Sequence, residues 1–320
     1  MNKRVICFLM VVLAAVCFVL PVLAIEPAKN EEMPVAVNEV TSGAVNSIEP
    51  PEASAELEPI DFVFLDGIPQ SVEYELFDGI TYITVSSFVA MADPQAVVEE
   101  EDGVVTVSSA RVEQVVDGEG NIADVVQETL SMTVSTQVSY IVANDRYLYA
   151  KDGIITVNDH VAAPVRLLAQ VFNLGIDYDS VADAVMLTHV QGCGAYIQPG
   201  DSYYDADALY WLSHIINAES GDQNLAGKIA VGNVVMNRVN SSEFPNTIYD
   251  VLHQRNQFSP IANGTIKKKP NNESVIAAKL VMDGAEVMPT ALFFNMKGLA
   301  TYASKYHTYV TTIGDHDFFV

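Results

Sequence analysis

The stretch HIINAESGDQNLAGKIAVGNVVMNRV, residues 214–239, decides how the chain is read. Upstream, DADALYWLSHIINAES places Leu209, Leu212, Ile215 and Ile216 three and four residues apart, the spacing of one buried helical stripe. Asp205 or Asp207 supplies an N-cap for that helix. A second helix runs from about Leu225 to Val239 and turns Ile229, Ala230, Val234 and Val235 inward, while Ala226, Gly227, Ala230 and Gly232 permit close helix contact. Between the two lies the polar elbow SGDQ, and one carboxylate, Glu219, stands where the first helix ends. A carboxyl packed between apolar helices loses hydration, and its pKa rises. A carboxylic acid that stays protonated near neutrality can give a proton to a glycosidic oxygen. Taken alone, a Glu at a helix end is more often a solvated charge.

Working outward, a third helix is expected in NESVIAAKLVMDG, opening on an Asn/Glu cap and stopping at Gly284. Upstream of the Gly-rich joint at 191–203, the pattern changes to short strands: FVFLDGI, ITYITVSSF, GVVTVSS, SMTVSTQVSYIVA, GIITVN and AVMLTHV. Asp-Gly pairs at 66, 78, 102, 117 and 152 mark tight turns. Two stretches beginning DGITYITVSSF and NDHVAAPVRLL both run turn, strand, short helix, loop, strand at an offset of about 80 residues, matching Val85 with Val165 and Phe88 with Leu168. The expected class is α+β in two domains: a duplicated, strand-rich α+β module over 61–190 and a mainly α domain over 204–320.

The first residues set the compartment. Lys3 and Arg4 precede an apolar run ending Val22-Leu23-Ala24, the layout of a secretory signal peptide over 1–24; an uncleaved membrane anchor is the alternative. Residues 25–60 carry no aromatic side chain and repeat Glu, Pro, Ala and Ser, so a disordered tether is expected. The chain of 320 residues has a formal charge of −25. Residues 25–200 hold 29 acids against 5 bases, and residues 201–320 hold 12 against 9. That balance excludes nucleic acid and anionic membrane surfaces as partners. Two of the three cysteines, Cys7 and Cys17, lie in the leader, which leaves Cys193 and no disulfide framework. No metal site and no cofactor are expected: His253, His307 and His316 do not form a spaced ligand set.

Two resemblances add to this. The segment INAESGDQNLAGKIAVGNVVMNRVNSSEFPNTIYDVLHQRNQFSPIANG, continued by NESVIAAKLVMDG, ALFFNM and TIGDHDFF, resembles the SleB-type cell-wall hydrolases, the spore cortex-lytic enzyme family. That family is similar to goose-type lysozymes and lytic transglycosylases. The resemblance implies an α-rich domain with a peptidoglycan cleft, Glu219 as the catalytic acid, and Gln257, Phe258, Ser259, Phe294 and Asn295 as substrate contacts. It also implies extracytoplasmic, cell-wall-associated action on glycan strands by a monomer, with a place in sporulation and germination; the N-terminal half, which differs from the peptidoglycan-binding module usual in spore enzymes, favours a vegetative wall role instead. In a lytic transglycosylase one Glu suffices, because the muramic C6 hydroxyl attacks in place of water; a hydrolytic muramidase needs a second acid, for which Asp222, Glu243, Asp250 and Glu273 are the candidates. An inactive wall-binding protein is the remaining alternative. Asn295-Met296-Lys297-Gly298 stands where the family continues Asn-Pro, and KGLATYASKYHTYVT offers tyrosines where a tryptophan is usual. The N-terminal half, on YIVANDRYLY and VNDHVAAPVRLLAQVFNLGIDYD, resembles the copper amine oxidase N-terminal-like domain, a non-catalytic stalk. Copper itself would need a histidine cluster, and this half offers only His160 and His189.

Overall fold

The computed structural model describes residues 62–116 and 122–320, so the expected leader at 1–24, the tether at 25–60 and the Asp117 turn lie outside the described residues. Asp61–Val320 form one compact unit. Its first half is built from hairpins. β1 (Val63–Leu65) and β2 (Ile68–Gln70) turn over Asp66-Gly67, and β3 (Tyr74–Phe77) and β4 (Ile80–Thr84) over Asp78-Gly79. After α1 (Val85–Ala92), β5 (Val97–Glu101) and β6 (Val104–Val116) turn over Asp102-Gly103. Both residues of each of these three turns have positive φ, from 48° to 78°, the conformation that Asp-Gly accommodates in a two-residue hairpin turn. Then come β7 (Ile122–Ser135), β8 (Tyr140–Ala143), β9 (Arg146–Tyr149), β10 (Ile155–Val157), β11 (His160–Pro164), α2 (Val165–Val171), β12 (Leu174–Asp179) and β13 (Ala184–His189).

The strands form three sheets, in the orders β12-β13-β1-β2, β10-β11-β4-β3 and β5-β6-β7-β8-β9. At the centre of the second sheet Ile83 pairs with Ala163, an offset of 80 residues. The flanking hairpins coincide under the same shift: Tyr74 pairs with Ile83, and Ile155 with Ala162, two registers that superpose when one is moved by 80 positions. The helices that follow begin at Val85 and Val165, and Val85, Phe88, Val165 and Leu168 are all buried in one core. Two strand expectations need correction. SMTVSTQVSYIVA is not one strand, since the chain turns between Ser135 and Tyr140. The β6–β7 hairpin is also much longer than a short strand pair, and Val112, Val125 and Val126 on it are exposed, so hydrophobic burial does not mark its length in the sequence.

The second half is mainly helical. It contains α3 (Gly200–Tyr203), α4 (Ala206–Ser220), α5 (Leu225–Asn240), α6 (Ile248–His253), α7 (Ser259–Asn263), a 3-10 turn (Thr265–Lys267), α8 (Asn272–Met282), β14 (Phe293–Met296), α9 (Tyr302–Tyr306), β15 (Tyr309–Ile313) and β16 (His316–Phe319). Side chains of Asp205, Asn224 and Asn271 cap α4, α5 and α8, each accepting from a backbone N–H three residues on. The three helices pack around Leu212, Ile215, Ile216, Ile229, Val231, Val235 and Leu280. At Gly232 the neighbouring helices leave no room for a side chain: a Cβ there would lie 2.9 Å from Val281 Cγ2 and 3.0 Å from Ile216 Cδ1. ALFFNM and TIGDHDFF become the antiparallel sheet β14-β16-β15, a β element that the mainly helical expectation omits. No helix among the described residues is long and apolar enough to cross a membrane.

The halves meet at the β8–β9 hairpin, which has two working faces. Ile141, Ala143 and Leu148 belong to the core of the strand-rich half, whereas Tyr140, Tyr147 and Tyr149 pack against the helical core. At the edge of this seam the Arg146 guanidinium, 6% exposed, grips the fully buried Asp283 past the end of α8. Its Nε donates at 2.7 Å, and Asp283 also accepts from the Tyr204 hydroxyl and, at 3.3 Å, from the Tyr147 N–H. The Tyr203 ring covers the guanidinium at 3.1 Å.

Candidate active site

Glu219 lies in the last turn of α4, half-buried, just before the C-cap Gly221. Ser220 behind it is buried and returns its hydroxyl to the Ile216 carbonyl at 2.8 Å, which closes the helix end. Gly221 is needed there, because a Cβ at that position would sit 2.5 Å from the Asn217 carbonyl oxygen. The elbow that follows is tied down from three sides. Asn271 donates its amide to the Gly221 carbonyl at 2.9 Å and its backbone N–H to Asn217 Oδ1 at 3.0 Å, joining the elbow to the start of α8. Lys228, 1% exposed, donates to the Gln223 carbonyl and pairs with Glu273 at 3.0 Å. Gln223 clasps Asp315, donating to its carboxylate and accepting from its backbone N–H, both at 2.9 Å, so the β15–β16 turn is locked onto the elbow.

Within this frame the Glu219 carboxyl makes no hydrogen bond or ion pair with the described residues. Burial alone therefore governs it, and burial pushes its pKa up to about 7. The charged form has nothing to compensate for lost hydration, so the acid keeps its proton to near neutrality. Of the other acids considered, Glu273 is held by Lys228 and Asp250 by the Thr247 hydroxyl at 2.7 Å. Asp222 is exposed on the elbow itself, and Glu243 is exposed in the loop after α5.

The remaining candidates fall in a second cluster. Phe258 is 4% exposed and packs inward, with its ring centroid 6.4 Å from that of Phe294, so it offers no open face to a sugar. Gln257 is exposed, but its amide oxygen accepts from Arg238 Nη1 at 3.1 Å. Arg238 is the brace of this cluster. Its Nε donates to the Leu292 carbonyl at 2.6 Å, and the rings of Phe244, Phe258 and Phe293 surround its guanidinium at 5.0–5.1 Å. Burial lowers its pKa to about 10. Ser259 opens α7, exposed. Half-buried Phe294 touches Phe258, Phe318 and the ring of His316, and Asn295 accepts from the Thr301 hydroxyl at 2.6 Å. The structure thus joins Phe258 and Phe294, braces Gln257 through Arg238, and links this cluster to the Glu219 end of α4 through the shared helical core and the bonds between elbow and β15–β16 turn. Sequence reasoning did not single out His316 for this place; a histidine next to an aspartate in a strand carries no signal of its burial. Among the described residues no group of three metal-ligating side chains occurs. Depressions of about 540 and 650 Å³, beside Phe77 and Arg111, lie in the strand-rich half, away from Glu219.

Comparison with known proteins bears on this half. Residues 222–319 match the model of a family described as Cell Wall Hydrolase, a segment that starts just after Glu219. Spore cortex-lytic enzymes are similar: one from Bacillus cereus is 29% identical over 98 residues, covering 31% of this chain and 38% of that protein, and one from Bacillus subtilis is 28% identical over 90 residues, covering 28% and 30%. The chain therefore matches well under half the length of these relatives. Among solved structures, the catalytic domain of the germination-specific lytic transglycosylase SleB from Bacillus anthracis is 25% identical, with a TM-score of 0.35 and coverage of 37% of this chain and 97% of that one. The Bacillus cereus SleB catalytic domain gives 27% and the same score. Residues 222–319 are thus similar to the Cell Wall Hydrolase family and to the spore cortex-lytic enzymes.

Proposed function

We propose that this chain is an extracytoplasmic peptidoglycan glycosidase that cleaves the bond between N-acetylmuramic acid and N-acetylglucosamine, with Glu219 as its proton donor. The observation that carries the reading is a half-buried, unpartnered carboxyl at a helix end, its pKa raised to about 7 by burial, directly beside the segment that matches cell-wall hydrolases. The relatives' names, cortex-lytic enzyme and lytic transglycosylase, support the reaction class.

The chemistry follows from one carboxyl. Protonated Glu219 gives its proton to the glycosidic oxygen as the bond from that oxygen to the anomeric carbon breaks. The resulting carboxylate then takes the proton of the muramic C6 hydroxyl, whose oxygen closes onto the anomeric carbon. The product is a 1,6-anhydro end, and Glu219 is protonated again. Gln257, Ser259, Phe294 and Asn295 line the bound strand, with Phe258 packed behind them. A hydrolytic route has one point in its favour: Asp222 is exposed on the same elbow and could steer a water. The strand-rich half serves as a wall-associated module that arose by duplication, supported by the 80-residue coincidence of its hairpin registers. Residues 1–60 act as leader and tether.

Mass analysis of muropeptides released from purified peptidoglycan tests this reading. Anhydro-muramic ends are expected, one water lighter than reducing ends, and none from Glu219→Gln. Reducing ends would establish the hydrolytic route, and release by Glu219→Gln at the wild-type rate would remove Glu219 from the chemistry.

A further inference from the structure

We propose that His316 is a substrate contact, donating a hydrogen bond from its Nε2–H to an acceptor oxygen of the glycan strand bound at Glu219. The inference rests on the reading of this site as a glycan cleft. His316 opens β16, and the turn before it is fixed to the elbow by the two Gln223–Asp315 hydrogen bonds. The charge of Asp222, on that elbow, reaches the imidazole along with those of Asp315 and Asp317. The ring itself is 8% exposed and stands edge-on to Phe294, centroids 5.3 Å apart at 89°, with Phe318 at 6.3 Å.

The state of the ring follows from its surroundings. Nδ1 is closed off from solvent and has no hydrogen-bond partner among the described residues. A buried N–H with no acceptor costs about 1–3 kcal/mol, and orphaned N–H groups are rarer in proteins than orphaned acceptors. Nδ1 therefore carries a lone pair, and the proton resides on Nε2. Burial also disfavours the imidazolium against the pull of the three aspartates, which keeps the ring neutral. That leaves an Nε2–H for which no described residue supplies an acceptor. Such a donor, held rigidly between aromatic rings next to the elbow, suits a ligand rich in neutral acceptor oxygens. The hydroxyls and acetamido carbonyls of a glycan have this character.

The test uses the full chain and soluble, uncross-linked glycan strands. His316→Gln carries an amide to the position of Nε2, His316→Asn reaches only to that of Nδ1, and His316→Phe keeps the ring without a donor. Binding is measured by calorimetry in a Glu219→Gln background, so that cleavage does not intervene. Phe and Asn at 316 are expected to weaken binding about fivefold to tenfold, the loss of one neutral hydrogen bond. Gln is expected to hold within about twofold, and the melting temperature should be alike in all three. With Glu219 intact, the same loss should appear in KM and little in kcat. Undiminished binding by His316→Phe would overturn the proposal, as would an equal loss in all three variants accompanied by a lower melting temperature. A parent protein that binds strands but does not cleave them would sink the glycosidase reading while leaving the binding comparison decisive for His316; one that does neither sinks both.

Discussion

Asp93 and Glu219 are both carboxylates drawn out of water, one at the end of α1 in the strand-rich half and one at the end of α4 in the helical half. Burial pushes each upward. At Asp93 the Arg111 guanidinium at 2.7 Å and the hydroxyls of Ser109 and Tyr196 more than offset that push, and the pKa falls to about 2. At Glu219 nothing offsets it, and the pKa stands at about 7. Asp283 at the seam is also supplied with partners: Arg146, Tyr204 and the Tyr147 N–H all turn onto it. The difference teaches that burial alone does not mark a working acid in this chain. Partners do: an acid supplied with them fastens the fold, and an acid denied them is left ready to exchange a proton.

The largest expected effect breaks the comparison at its reactive side. Glu219→Gln should lower turnover of glycan strands by about a thousandfold, within the usual range for a lost acid–base group, while strand binding persists. Loss of binding together with turnover would assign Glu219 a structural role. Next, Arg146→Ala leaves Asp283 buried without its cation and should cost about 3–5 kcal/mol, read as a lower urea midpoint. An unchanged midpoint would mean that the seam contributes little to the unit.

The pH dependence of stability sharpens the contrast, because the two acids act with opposite sign. Glu219 binds its proton more tightly folded than unfolded. Wild type should therefore lose stability relative to Glu219→Gln as pH rises from about 4.5 to about 7, by at most about 3 kcal/mol. Asp93 binds its proton less tightly when folded. Its contribution, about 2 kcal/mol at most, is present above pH 3.8 and lost as pH falls toward about 2, and Asp93→Asn should remove that dependence. Parallel pH profiles for wild type and both variants would refute the opposed environments. The smallest effect concerns the frame of the reactive acid. Gly232→Leu, forced against Val281 and Ile216, should cost about 1–3 kcal/mol through overpacking of α5 between α4 and α8.

Local chemistry was legible in the sequence. The spacing of Leu212, Ile215 and Ile216, the capping residue Asp205 and the terminal Gly284 marked helices that the structure contains, and the Asp-Gly pairs at 66, 78 and 102 marked hairpins. The position of Glu219 at the elbow was legible for the same reason, since helix ends are written in nearby residues. What depends on distant partners was not. Arg146 and Asp283 lie 137 residues apart, and nothing local pairs them. Phe258 looks like a sugar platform in NQFSP, yet the Arg238 guanidinium and the Phe294 ring draw it into the core. The strands β14 and β16 present Phe293, Phe294, Phe318 and Phe319 as doublets rather than alternating residues, so the sheet becomes visible only once the two pair.

A carboxyl titration tests the central claim most directly. With ¹³C placed in the glutamate side-chain carboxyls, the Glu219 resonance is identified by its absence in Glu219→Gln and followed from pH 3 to pH 9. A midpoint near 7 is the expected result. A midpoint near 4.5, the value of an ordinary solvated glutamate, would show that the elbow leaves this acid in water and would contradict its role as the proton donor.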